Sequence, residues 1–107
     1  MLVRYSDREL RRLVADESAM RRHLGASQTR KLKSRIHALH SVDCAADLFP
    51  LPGRWHPLTG NWAGHLSADL DHPRRLLIRP AEPPSSDGGI DWNSTVEVDV
   101  VGIFDTH

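Results

Sequence analysis

The 107-residue sequence holds one cysteine, Cys44, and aromatic residues make up only 6% of it. A single thiol excludes an internal disulfide framework and a zinc site built from this chain's thiolates. No run approaches the eighteen apolar residues a membrane span needs. The opening MLVRYSDREL lacks the apolar core of a secretion signal. There is no glycine-rich phosphate cradle of the P-loop or Rossmann kind, and no Gly-x-Ser-x-Gly nucleophile turn. Formal net charge is zero, which argues against a free, strongly basic nuclease. What remains is a globular composition, 39% hydrophobic and 26% charged. The expectation is one cytoplasmic domain, residues 1–107, around one core.

The zero net charge hides an asymmetry. Residues 1–35 carry ten Lys and Arg against four Asp and Glu, and residues 36–107 carry four against ten. A basic face of this kind can meet a polyanion or an acidic partner. It is equally the solvated charge of ordinary helices, and charge alone favours that blander reading.

Leu2 to Tyr5 reads as a short strand. Ser6-Asp7-Arg8-Glu9 has the form of a capping box with Ser6 as N-cap. Leu10, Leu13 and Val14 follow at helical spacing, Asp16-Glu17-Ser18 interrupts, Met20 and Leu24 continue, and Gly25 fits a helix end. Ser27 is the next N-cap candidate. Leu32, Ile36 and Leu39 then give an amphipathic helix over residues 28–41, with Arg30, Lys31, Lys33 and Arg35 on its other faces. Prolines and glycines make residues 50–61 turn and loop. A strand over residues 63–70 is expected to turn Leu66, Ala68 and Leu70 to one face and His65, Ser67 and Asp69 to the other. A turn at Asp71-His72-Pro73 leads to a strand over residues 74–79. Residues 80–94 form a Pro-, Ser- and Gly-rich hairpin loop, expected to be mobile. The last strand covers residues 95–104, with Val96, Val98 and Val100 facing one way and Glu97, Asp99 and Val101 the other. The order β-α-α-β-β-β predicts an α+β fold with helices on one face of an antiparallel sheet.

Seven histidines are many for this length. His37 and His40 share a helical face, but no third ligand has suitable spacing, so no metal site is assigned. His56 stands in Arg54-Trp55-His56-Pro57-Leu58, at the edge of the loop that feeds the sheet. His107, the last residue of the sequence, follows Asp105 by two positions, which in an extended chain share a side. A carboxylate beside an imidazole favours the protonated form and suits a general acid. Arg74, Arg75 and Arg79 bracket the middle strand. Arginine there can clamp a phosphate through two parallel N–H bonds or simply solubilise an edge.

Arg54 to Gly60, Gly64-His65-Leu66-Ser67, Arg74 to Ile78 and the closing Asp105-Thr106-His107 resemble, in that order, the HigB branch of the RelE/ParE toxin superfamily, the plasmid-maintenance killer proteins. The resemblance spans most of the chain. It implies a small twisted antiparallel sheet with an N-terminal strand and two packed helices. It also implies ribosome-dependent cleavage of messenger RNA without metal or other cofactor, neutralised by a cognate HigA-like antitoxin. By resemblance His56, Arg75, Asp105 and His107 are catalytic. Thr59 stands where the family has lysine, Thr106 where it has tyrosine and Arg74 where it has tryptophan, so Arg54, Arg74 and Arg79 are the candidates to supply phosphate-binding charge. Trp55 and Trp92 are the candidates for the missing stacking ring. Two other functions fit the same scaffold: a catalytically silent toxin relative that pairs with an antitoxin, and a gyrase-poisoning toxin.

Overall fold

The protein is described by a computed structural model covering residues 1–82 and 89–105. Strand β1 (Leu2–Tyr5) leads into helix α1 (Arg8–Ala15) and helix α2 (Glu17–Ser41). After a 3-10 turn at Ala45–Leu48 come β2 (His56–Pro57), β3 (Leu66–Asp69), β4 (Arg74–Pro80) and β5 (Glu97–Asp105). The sheet order is β1-β5-β4-β3-β2. The expected α+β arrangement is present. Two details differ from the expectation. The short strand β2 lies inside the segment assigned to loop, and β1 joins β5 in parallel while the other pairs are antiparallel.

Helix starts are set by aspartates. Asp7, not Ser6, caps α1: its carboxylate accepts the Leu10 N–H at 2.7 Å. An ionised cap also meets the positive end of the helix dipole, which a hydroxyl does less well. Asp16 caps α2 through the Ala19 N–H. Gly25, at φ 80° and ψ 169°, interrupts α2 where a helix end was expected. The helix thus breaks at Gly25 as expected and a second helical segment follows directly, with the buried Thr29 hydroxyl donating to the Gly25 carbonyl at 2.7 Å. Ser27 does not cap. Its hydroxyl donates to Asp71, which also holds Lys31, and this ties α2 to the β3–β4 turn.

The two faces of the sheet differ in kind. Toward the helices point Val98 and Val100 of β5, Leu76 and Ile78 of β4, and Leu66 and Ala68 of β3, which meet Leu10, Met20, Leu32, Ile36 and Leu39 in one core. Trp55 is buried in the same core, and Trp92 packs against it. That second placement folds back the end of the predicted loop: Ala46 N–H bonds the Trp92 carbonyl and Ala45 N–H the Thr95 carbonyl. Residues 83–88 of that loop lie outside the described residues.

A bulge in β5 decides what the other face carries. Leu77 pairs with Gly102 but Ile78 pairs with Val100, so Val101 is an extra residue. One inserted residue reverses the alternation. Ile103 therefore joins the helix-side core and Phe104 turns outward, onto the face of Asp99. The uninterrupted alternation expected from sequence breaks here.

Candidate active site

The outer face of the sheet is built from alternate residues in register. His56 of β2 lies beside Ser67, which lies beside Leu77, which lies beside Gly102. One step along, Asp69, Arg75 and Phe104 form the next row. One step the other way, Arg79 pairs with Asp99. Ser67 lies on the expected face, opposite Leu66 and Ala68. It is fully buried together with Leu77, and its hydroxyl has no partner among the described residues. Trp62, from the 3-10 turn Gly60–Trp62, packs at a tilt of 49° against Phe104 with ring centroids 5.0 Å apart, and Phe104 lies against Gly102, where a Cβ would come within 2.9 Å of its ring. An aromatic cover thus rests on this end of a face otherwise made of charge.

The loop before β2 aims the charges. Gly53 (φ 118°) and Arg54 (φ 53°) are both in left-handed backbone, a conformation that costs a residue with a side chain and recurs at functional sites. Asp69 N–H donates to the Gly53 carbonyl at 2.7 Å, which locks the loop to the end of β3. Arg35 reaches across from α2 and donates to the Asp69 carbonyl at 3.0 Å. It passes so close to Gly53 that a Cβ there would meet its Nε at 2.6 Å. Burial lowers the pKa of the Arg35 guanidinium, against the opposing pull of Asp69. Clamped this way, the loop presents the Arg54 carbonyl to His56, whose Nδ1 lies 2.6 Å from it. A carbonyl only accepts, so Nδ1 carries the proton, and in the neutral ring Nε2 is a bare acceptor.

The Asp69 carboxylate stands between two guanidiniums, Arg75 at 3.5 Å and Arg54 at 3.6 Å. The contact to Arg75 is an ion pair without hydrogen-bond alignment, since that carboxylate oxygen has no hydrogen-bond partner among the described residues. The pair is partly buried, at 21% and 29% exposure, and poorly aligned, so a phosphate making two aligned bonds can displace the acid. Arg79 is held by Asp99 at 3.7 Å, and Arg4 is paired with Glu97.

The structure therefore brings His56, Arg75, Arg54 and Arg79 to one face. It does not bring Asp105 there. The bulge turns Asp105 toward the helix side, opposite Arg74, where both line a groove of about 580 Å³ with Leu10, Leu13, His23 and Ile103. Arg74 also borders the hollow of Arg54, Asp69 and Arg75, so it stands at the rim between the two. His107 and Thr106 lie outside the described residues. Neither Trp55 nor Trp92 offers a stacking ring on the outer face, since both pack into the core. Trp62 is the tryptophan placed there, with His65 edge-on to it at 5.4 Å. Sequence reasoning passed over Asp69, Trp62, His65 and Arg35. The period-2 signal did put His65 and Asp69 on the outer face, but nothing local marks a role for them.

Among the described residues, no three His, Cys, Asp or Glu side chains converge as a metal site requires, and no helix is long and apolar enough to cross a membrane. No family model and no curated protein matches the sequence. The architecture is α+β, two helices on one face of a five-stranded sheet. Among solved structures, the chain is similar to the YoeB/ParE toxin from Agrobacterium tumefaciens, at a TM-score of 0.61 over 100% of both chains and 15% identity. At that identity the likeness carries the fold.

Proposed function

We propose that this chain is the toxin of a toxin–antitoxin pair, of the HigB type, and that it cleaves messenger RNA on the ribosome from the outer face of its sheet. One observation carries the reading: His56, with Nε2 bare, shares a face with Arg75 and Arg54, whose acid partner is loosely held. RNA brings its own nucleophile. The protein need only align the 2′-OH with the phosphorus, take its proton, steady the developing charge and protonate the departing 5′ oxygen. His56 serves one proton transfer. Arg75, aided by Arg54 and Arg79, steadies the phosphorane-like charge. From the sequence resemblance, His107 is the candidate for the other transfer, with Asp105 to position it.

The exposed cations of the helices, Arg8, Arg11 and Arg12 on α1 and Arg21, Arg22, Arg30 and Lys33 on α2, give a surface for ribosomal RNA, where phosphate contacts dominate and weaken with salt. The partner that silences the protein is an antitoxin, HigA-like by the same resemblance.

Brief induced expression followed by primer-extension mapping of transcripts tests the reading. Cuts confined to translated regions are expected. Intact transcripts alongside a DNA-damage response would instead assign the fold to gyrase poisoning. A second reading, a silent antitoxin-pairing protein, draws on the Asp69 carboxylate that already occupies both guanidiniums. Intact transcripts with no toxicity would favour it.

A further inference from the structure

His65 is an imidazole on the outer face that the reaction above leaves unused. We infer that His65, in place of the His107 that the sequence resemblance suggests, is the second proton-transfer group of this site, acting with His56 across the β2–β3 edge. The inference rests on the ribonuclease reading of the same face.

Register places the two rings. His56 pairs with Ser67, and two residues on, the Leu58 N–H donates to the His65 carbonyl at 2.9 Å. Residues 56 and 65 are thus diagonal neighbours on one face, an arrangement that in antiparallel pairs lies within reach of long and aromatic side chains. Both rings are held in the same way. His56 Nδ1 is 2.6 Å from the Arg54 carbonyl and His65 Nδ1 is 3.0 Å from the Trp62 carbonyl. Each Nδ1 must donate, so each neutral ring carries its lone pair on Nε2. The indole of Trp62 braces His65 edge-on, at an interplanar angle of 89°.

Each imidazole also has a guanidinium near it in the register. Arg75 and Arg79 flank Leu77 on β4, two residues to either side on this face. His65 and Arg79 line one hollow with Gly64, Pro80, Ile90 and Asp99. Among the described histidines, His23, His37 and His40 stand on α2 and His72 in the β3–β4 turn, so His65 is the one that joins His56 on this sheet face.

Two such rings span one phosphodiester. The 2′-O–P bond forms as the P–O5′ bond breaks. One Nε2 takes the 2′ proton, and the other, as imidazolium, gives its proton to the departing 5′ oxygen. The products are a 2′,3′-cyclic phosphate and a 5′-hydroxyl, and the two imidazoles have exchanged protonation states.

The test is His65→Asn. Its amide N–H replaces Nδ1–H toward the Trp62 carbonyl, keeping the turn, but nothing in it titrates. Single-turnover cleavage of ribosome-bound messenger RNA is followed from about pH 5 to about pH 9, with thermal melts alongside. The wild type is expected to give a bell. The variant is expected to lose about a hundredfold or more at the optimum and to keep a single limb. His40→Gln, on the exposed side of α2, is expected to keep both limbs. A variant within about threefold of wild type, or one that is slow but keeps both limbs, would overturn the inference. His65→Gln is read by the same criteria if the asparagine variant melts early. A wild-type protein that leaves ribosome-bound messenger RNA intact removes the ribonuclease reading and this inference with it. An active wild type with an unaltered His65→Asn removes the inference alone.

Discussion

The same strands present two unlike faces. Toward the helices, β4 offers Leu76 and Ile78, both fully buried in a continuous apolar core. Outward it offers Arg75 and Arg79, each beside a carboxylate, with buried Leu77 between them. The helix side holds the fold together, through apolar area removed from water. On the outer side buried Leu77 contributes to stability, while the partly exposed ion pairs around it contribute less, so the charged residues are freer to be chosen for chemistry. Substitutions one residue apart on β4 should therefore separate folding from activity.

The largest effect is expected from Leu76→Ala. Emptying a fully buried site should cost about 2–5 kcal/mol in urea unfolding, while the fraction that remains folded keeps its activity. Its neighbour should behave oppositely. Arg75→Ala is expected to slow cleavage by about a hundredfold to a thousandfold, as loss of a charge-steadying donor does, and to shift stability by less than about 1 kcal/mol. Equal losses of stability in the two variants would erase the distinction between the faces.

Gly53→Ala probes the link between them. The methyl group meets Arg35 at 2.6 Å in a backbone with φ 118°, and a cost of about 1–3 kcal/mol is expected. The displaced loop should also lower cleavage, since it aims the Arg54 carbonyl at His56. A destabilised variant with full activity per folded molecule would show that the loop does not set the site.

The smallest effect concerns the turn behind the site. Lys31 and Ser27 hold Asp71 below its ordinary carboxylate pKa of 3.8. A group depressed in the folded state stabilises above its unfolded pKa, and that stabilisation fades as pH falls through the folded value. Asp71→Asn is therefore expected to flatten slightly the loss of stability below about pH 4. Melts at acid pH check this, and a steeper loss in the variant would reverse the sign.

Much of this design is legible in the chain. The apolar spacing of Leu10, Leu32, Ile36 and Leu39 marks the helices, and the run Leu76-Leu77-Ile78 marks the central strand. Arg75 and His56 stand out as charged and titratable groups at strand edges. Three features are not legible, for separate physical reasons. The bulge at Val101 is a register property of two strands, so alternation alone does not give the faces of Phe104 and Asp105. The burial of Ser67 depends on its place between His56 of β2 and Leu77 of β4, strands brought from separate parts of the chain. The roles of Asp69 and Arg35 arise only when the β3 end, the Gly53 loop and α2 meet, which no local pattern encodes. Ser6 against Asp7 is a fourth, finer case: both residue types cap helices, and only the geometry of the first turn chooses.

The central claim is that His56 moves a proton on the outer face. His56→Asn is its most direct test, because the amide keeps an N–H toward the Arg54 carbonyl and removes Nε2. Single-turnover cleavage of ribosome-bound messenger RNA should fall by about a hundredfold or more with an unchanged melting curve. A rate within about threefold of wild type would contradict the account.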